Sequence, residues 1–462
     1  MESKILKSLG EARLDLLKQV KELGTSFENK SSKKTKILRL EVPLENAHPL
    51  EWLILQDCPH KIFWENRNQK EQFAGIGSAL VIKNTKKGYK QILLTIRSLL
   101  KYSPKSVRFF GGLRFDSEVS TSQEWTDWGM AIFSLPMIEL SVINSHITLA
   151  CNIYTVEDFH LKLKDLEKNL ESMRVEDISI PDSPLFRLER YDIPEYRQWC
   201  KTVEKGLENI SMGKLKKVVL ARTAIFTLAR DYDPNEILLQ LRRQAPQAFH
   251  FCFQLVQNKA FLGITPELLY RRKGRKIESE AIASTRPRGQ THEEDERLAI
   301  ELLESEKERR EHIMVLERME RLLCKFCEKT ERLSYLERLP LRHVQHLQSK
   351  VEGILLPKIT DSDLLPAFHP TPSVSGTPDP LARTLIRELE PFDRGWYAGP
   401  VGWIGLNQAE FAVGIRSGLL CGRTLRIFTG AGIVKGSTPE EEWREIEDKL
   451  QSWKYLLRRH EL

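Results

Sequence analysis

The sequence predicts an α+β fold in which large antiparallel β-sheets pack against helices. Three observations lead there. Short strand-like runs recur in both halves of the chain, as in FFGGLRFD (109–116) and HITLACNI (146–153). Glycines and polar turns separate them, which favours hairpins over βαβ crossovers. The helical patterns fall in groups between runs of strands instead of alternating with them one by one. With 462 residues, 41% hydrophobic and 29% charged, the chain has the composition of a globular protein and the length for one large domain or two ordinary ones.

The elements follow in order. Leu9, Ala12, Leu16, Val20 and Leu23 recur at helical spacing, so the chain opens with an amphipathic helix. Charges interrupt every apolar stretch of that segment, which excludes a signal peptide. Its acidic residues argue against a transit peptide. Lys30 to Lys36 (KSSKKTK) reads as a solvated loop, and Ile37, Leu38, Leu40 and Val42 begin the first strand. Gly75-Ile-Gly77 starts a dinucleotide-like motif, but position 80 is Leu, so nucleotide binding is not supported. Residues 1–175 thus form an N-terminal, mostly antiparallel β subdomain. Two prolines among acidic residues mark 176–192 as a linker, and residues 193–462 form the second domain. There Trp199, Val203, Leu207 and Ile210 line one helix face, Gly213 ends that helix, and the strand KLKKVVLARTAIF follows. Hairpin-like strands continue to 285. A long charged helix spans 293–328, with Leu298, Leu302, Ile313, Leu316, Leu323 and Cys327 on its apolar face. Further strands occupy 342–355 and 396–433, and a last helix begins near Thr438.

Composition also excludes. The charge of +7, from 71 basic and 64 acidic residues, suits an anionic small molecule, and no basic stripe or known module points to nucleic acid. No apolar run reaches the 18 or so residues of a membrane span. Seven scattered cysteines imply reduced thiols and a cytoplasmic protein. Cys324-Lys-Phe-Cys327 lies in a helical pattern without a second Cys/His pair at zinc spacing, so it is read as structural.

Chemistry concentrates in a few segments. In SEKERREH, Glu308 and Glu311 stand three apart in a helix and share a face; in STPEEEWREIEDKL, Glu442 and Glu445 do the same, with Lys449 one turn on. Thr438, Pro439 and Glu441 supply an N-cap, a first-turn proline and a capping-box acid. Each pair alone is compatible with a solvated helix face. Brought together, four carboxylates call for a hard divalent cation such as Mg²⁺. Lys217, in KKVVLAR, shares a strand face with Val219 and Ala221; it is either a snorkelling strand-end lysine or a general base held in a site. Glu267, between AFLGI and LLY, is either a buried structural carboxylate or an acid with a raised pKa. Arg416 in EFAVGIRSGLL could grip a carboxylate from a rigid strand, and Gly430-Ala431-Gly432 could bring backbone N–H groups to an anion. His346 in VQHLQSKVEG shares a polar face with Gln348, Lys350 and Glu352.

The ordered segments KVVLAR, FLGITPELL, EAIASTRPRG, SEKERREH, VQHLQSKVEG, HPTPSVSG, GPVGW, FAVGIRSG and GAGIVKGSTPEEEWREIEDK resemble the catalytic region of the chorismate-utilising enzymes, over roughly residues 195–455. That family includes anthranilate, isochorismate, salicylate and aminodeoxychorismate synthases. The resemblance implies the chorismate-utilising fold and makes 193–462 the chorismate-binding catalytic domain. It also implies roles. Lys217 matches the lysine that activates water for attack at ring C2, and Glu267 the acid that protonates the departing C4 hydroxyl. Glu311 and Glu445 match Mg²⁺ ligands, with Glu308 and Glu442 holding the ion through water. Arg416 and the Gly430 backbone resemble the grip on the enolpyruvyl carboxylate, and Lys449 a substrate contact near the metal. Ser284, where many members have glycine, and Thr285 belong to the floor of the site, and His346 to the substrate-facing set. Lys217 stands where ammonia-using anthranilate synthases carry glutamine, and HPTPSVSGTP is similar to the isochorismate-forming version of its loop. FFGGLRFD and the Trp125/Trp128 stretch are similar to the same branch. The resemblance therefore implies a Mg²⁺-dependent, isochorismate-forming isomerase acting on chorismate as a monomer, without an amidotransferase subunit. Salicylate synthase is the alternative within the family, and anthranilate synthase component I a more remote one.

Overall fold

The computed structural model describes residues 6–26, 37–85, 88–155, 158–176, 185–340 and 344–459. Nearly every strand pairing is antiparallel, as the turn-separated runs require; the short strand Leu457–Arg459 lies parallel to Leu185–Ile193. Two long branches and one short limb, His146–Tyr154 with Ile37–Leu44, meet on the strand Ala131–Ile143. Its second half pairs with His146–Tyr154, and its first half with Arg108–Leu113. Pro136, which lacks an N–H, sits at the fork. On the paired strand Gly75 packs against it, and glycine is required there because a Cβ would come within 2.6 Å of the Pro136 ring. The dinucleotide-like Gly75-Ile-Gly77 is therefore a strand element that accommodates a proline.

One branch continues from Glu71–Asn84 through Lys61–Glu65, Phe249–Val256, Lys259–Thr265, Ser417–Cys421 and Thr424–Val434 to Lys217–Leu228 and Leu185–Ile193. The other runs from Arg108–Leu113 through Pro400–Gly405, Gln408–Val413, Leu268–Lys273, Lys276–Pro287 and Val344–Leu355 to Cys327–Pro340. Both branches use strands from both halves of the sequence. The later part of the expected linker is the strand Leu185–Ile193; residues 177–184 lie outside the described ones, as does the Lys30–Lys36 segment.

The central strands of the first branch are buried on both faces. Ile62, Phe251 and Phe261 enter a core with Trp64, Trp125, Trp128 and Trp396, while their neighbours Phe63, Cys252 and Leu262 enter a second core. That second core contains Ala12, Leu16 and Val20 of the helix Leu9–Ser26, with Leu163, Leu166 and Leu170 of Phe159–Ser172. Two-sided burial explains why these strands read as apolar runs.

Three helical features differ from the sequence reading. The N-terminal region also carries the helices Pro49–Leu55, Lys90–Leu100 and Phe159–Ser172, short pieces whose patterns are broken by loops. The single helix expected over 293–328 is two, His292–Glu304 and Glu306–Phe326, because the Ser305 side chain accepts the Glu308 N–H and starts a new helix. Past Phe326 the chain becomes the edge strand Cys327–Pro340. All seven cysteines are free thiols, with Cys324 exposed and Cys327 buried. Among the described residues no helix is long and apolar enough to cross a membrane.

Candidate active site

A cavity of about 150 Å³ opens between the Lys217 strand and the two acidic helices; its walls include Glu267, Glu308, Glu311, His346, Arg416, Gly430, Glu442, Glu445 and Lys449. Residues separated by up to 230 positions in sequence, Val219 and Lys449, thus face one space. Its floor is built by the strands Lys217–Leu228 and Thr424–Val434. Ala221 opposes Gly430 and Val219 opposes Gly432. The Ala221 N–H donates to Glu390 Oε1 at 2.8 Å and that of Val219 to the Ser375 carbonyl at 2.8 Å, both away from the glycine strand. These are therefore the pairs that exchange no ladder bonds, so Gly430 and Gly432 turn their own N–H and C=O to the other edge. The adjoining strand there ends its pairing at Ile427, so that edge opens on the cavity. Lys449 Nζ donates to the Gly430 carbonyl there at 2.9 Å.

Both acid pairs project from the first two turns of capped helices. Ser305 caps Glu306–Phe326, placing Glu308 in the first turn and Glu311 in the second. Thr438 caps Pro439–Asp448 by accepting the Glu441 N–H at 3.4 Å, with proline at the first position as the sequence predicts. Carboxylates there also meet the positive end of the helix dipole. Each helix brings its acids to bases. Lys217, buried on its strand, donates to Glu311 Oε1 at 2.6 Å. Lys449 donates to Glu445 Oε1 at 2.5 Å, and Arg286 Nε to Glu308 Oε1 at 3.0 Å. Glu442 is buried in the same wall. Among the described residues no three acidic, histidine or cysteine side chains converge on one point. The donor set nonetheless fits a hard cation in kind: four carboxylates face one cavity, and Mg²⁺ takes one or two directly while keeping waters. Gly432 leaves the room, since a Cβ there would lie 3.1 Å from Glu311 Oε1 and 2.9 Å from Lys217 Cε.

Glu267 occupies a different environment. It follows the strand Lys259–Thr265, is 4% exposed and has no basic side chain in contact among the described residues. Burial pushes its carboxyl up to about 7, against the opposing hydrogen bonds of two hydroxyls. Ser373 Oγ donates to Oε1 at 2.5 Å and Thr371 Oγ1 to the same oxygen at 3.3 Å. Both come from the HPTPSVSG loop. Arg394 fixes that loop by donating to the Val374 carbonyl at 2.8 Å, and joins it to the Lys217 strand through the Val219 carbonyl, also at 2.8 Å.

Arg416 sits at φ +51°, a left-handed backbone that non-glycine residues rarely adopt. Its Nη1 donates to the Lys449 carbonyl at 3.4 Å, and no carboxylate lies within ion-pair distance among the described residues. Burial pulls its guanidinium down to about 10, which still leaves it cationic at neutral pH. A cation facing a cavity without an anionic partner is suited to an anionic ligand.

The remaining predicted residues are also located. His346 is buried in the cavity wall, but Gln348, Lys350 and Glu352 of the same strand do not line the cavity; Gln348 donates to Glu280 and Glu352 pairs with Lys276. Ser284 and Thr285 lie on the backbone of Lys276–Pro287, where Thr285 is in register with His346; their side chains lie outside the described residues. Sequence reasoning did not single out Ser373, Thr371, Tyr397 or Arg286. The first two stand in a motif the resemblance rests on, but only tertiary packing aims their hydroxyls at Glu267.

A family model described as chorismate binding enzyme matches residues 18–458. The chain is 32% identical over 452 residues, covering 90% of it and 80% of the relative, to isochorismate synthase 2, chloroplastic, of Arabidopsis thaliana. It is 40% identical to anthranilate synthase component 1 of Saccharolobus solfataricus, but over 259 residues and 55% of the chain. Among solved structures, MenF, the menaquinone-specific isochorismate synthase from Escherichia coli, superimposes with a TM-score of 0.85 at 27% identity, covering 98% of this chain and 100% of that one.

Proposed function

The chain belongs to the chorismate-binding enzyme family, and from that premise we propose that it is a Mg²⁺-dependent isochorismate synthase. The observation that carries the reading is the shared cavity, where a buried protonatable acid shares one space with four further carboxylates and an arginine, and one of those carboxylates, Glu311, accepts a hydrogen bond from the buried Lys217 behind it. The comparisons support this branch. Similarity to an isochorismate synthase runs through both halves of the chain, whereas the anthranilate synthase match covers little more than half.

The chemistry follows from the residues. Arg416 and the open-edge N–H groups of Gly430 and Gly432 hold the enolpyruvyl carboxylate of chorismate. The ring carboxylate lies toward Lys449 and the acidic wall. Glu311 and Glu445 would hold Mg²⁺, with Glu308 and Glu442 bonded to its waters; when bound, the ion neutralises the acidic wall and the ring carboxylate. Lys217, turned from Glu311, is the base that takes a proton from the water that bonds to C2. The ring double bonds shift, the C4–O bond breaks, and Glu267 gives its proton to the departing hydroxyl, which leaves as water. One water enters and one leaves, so the reaction is an isomerisation and runs in both directions. Fixed charges and donors supply much of the catalysis by positioning.

We place the enzyme in the cytoplasm as a monomer that needs no amidotransferase subunit. Its product serves menaquinone or siderophore synthesis; full-length similarity to a menaquinone-specific enzyme favours the first. The test is product chromatography from pure chorismate with Mg²⁺ and with a chelator. Isochorismate formed only with Mg²⁺ is expected. Salicylate fluorescence without a second enzyme would move the assignment to salicylate synthase, and undiminished turnover under chelation would remove the metal.

A further inference from the structure

We infer that Ser373 is the positioning residue that orients the proton of Glu267 toward the substrate and sets when it is released. This rests on the reading of Glu267 as the acid of the reaction and adds the device that makes it competent. The geometry is asymmetric. Ser373 Oγ donates to Oε1 at 2.5 Å, while Thr371 Oγ1 lies 3.3 Å from the same oxygen and 2.5 Å from Ser373 Oγ, so its single proton supports Ser373 more closely than it reaches Glu267. Among the described residues no hydrogen bond reaches Oε2, although Glu267 lines the cavity. An oxygen that accepts a hydroxyl donor is the carbonyl oxygen of a protonated carboxyl. Pinning Oε1 therefore leaves the proton on Oε2, on the side open to the departing hydroxyl. The same donor stabilises the carboxylate after the proton has gone, so it offsets part of the burial cost in that state.

Other groups face Glu267 and set its background. Lys217, from the strand Lys217–Leu228, favours the carboxylate, and Glu280, from Lys276–Pro287, favours the protonated acid. Glu280 is itself held by Arg67 at 2.5 Å and Gln348 at 3.1 Å. Neither Lys217 nor Glu280 bonds to the carboxyl, so neither can choose between its two oxygens. Ser373 can. The loop that carries it is locked by the buried Arg394, so the hydroxyl is not one of many arrangements of a free side chain.

The test reads Glu267 directly. The C=O stretch of the protonated carboxyl, identified by its loss in E267Q, is followed by infrared spectroscopy against pH. In S373A the midpoint of that band is expected to rise by about one pH unit. The alkaline limb of kcat/KM should move up with it, while S373T, which keeps the hydroxyl, stays nearer the wild type. An unmoved midpoint in a folded S373A protein overturns the inference. A midpoint that moves while the kcat/KM profile ignores it supports Ser373 and instead removes Glu267 as the acid. Activity retained by E267Q has the same meaning for Glu267.

Discussion

Two walls of one cavity hold the same residue type and make opposite use of it. On the helix wall, Glu311, Glu445 and Glu308 meet a lysine, a lysine and an arginine at 2.5–3.0 Å. On the strand wall, Glu267 meets two neutral hydroxyls and is pushed up to about 7 by burial. Each carboxylate of the first set is paired with a base that another cation could replace. Desolvation without a cationic contact makes the other a proton donor near neutral pH. A glutamate's chemistry here is decided by its neighbours.

The sharpest way to break the contrast is to remove the member of each wall that moves a proton. E267Q and K217A are each expected to lower kcat by about 10²–10⁴-fold, with circular dichroism and gel filtration unchanged. If the walls are interchangeable, one of the two will keep near-wild-type turnover. The pH profile sharpens the same point. Because Glu267 must be protonated, kcat/KM should fall as pH rises through about 7. A profile flat from pH 6 to 8 would contradict that role.

A smaller effect belongs to the anion grip between the walls. R416A should raise KM for chorismate by about 10–100-fold through the loss of charge-assisted hydrogen bonds, with kcat less affected. R416K, which keeps charge but loses the planar fork, should fall between. An unchanged KM in R416A would move the substrate carboxylate elsewhere. Smaller again is G432A. Its Cβ would stand 2.9 Å from Lys217 Cε and 3.3 Å from Nζ, both at the flexible end of the lysine. The amine must shift by a few tenths of an ångström, so kcat should drop about tenfold while the thermal midpoint barely moves.

The two walls also differed in how readable they were. Glu308/Glu311 and Glu442/Glu445 announce themselves by helical spacing, and Thr438-Pro439 by capping chemistry, so the helix wall was legible from local sequence. The antiparallel α+β class was legible for the same reason: alternation and turn residues are local. Pairing partners were not. Nothing local says that Ala131–Ile143 forks at Pro136, or that strands from both halves complete each branch. Ser305 was readable as a cap in principle, but the charged pattern runs unbroken across it and conceals the helix boundary. For the strand wall, Glu267 stood out as an acid bracketed by apolar sequence, while Ser373, 106 residues away, had no signal tying it there.

The smallest predicted effect is on stability, and it tests the strand wall without substrate. Glu267 titrates near 4.5 in an unfolded chain and near 7 when folded. Between these values the folded protein holds a proton that the unfolded chain has released, so stability falls as pH rises across that window and levels off above it. The loss is at most about 3 kcal/mol. Glutamine cannot titrate, so E267Q should lack this slope. Its thermal midpoint relative to wild type should therefore improve by a few degrees between pH 5 and pH 8. Parallel pH curves for E267Q and wild type would mean that the buried carboxyl is not strained by ionisation, and with that the physical difference between the two walls would be lost.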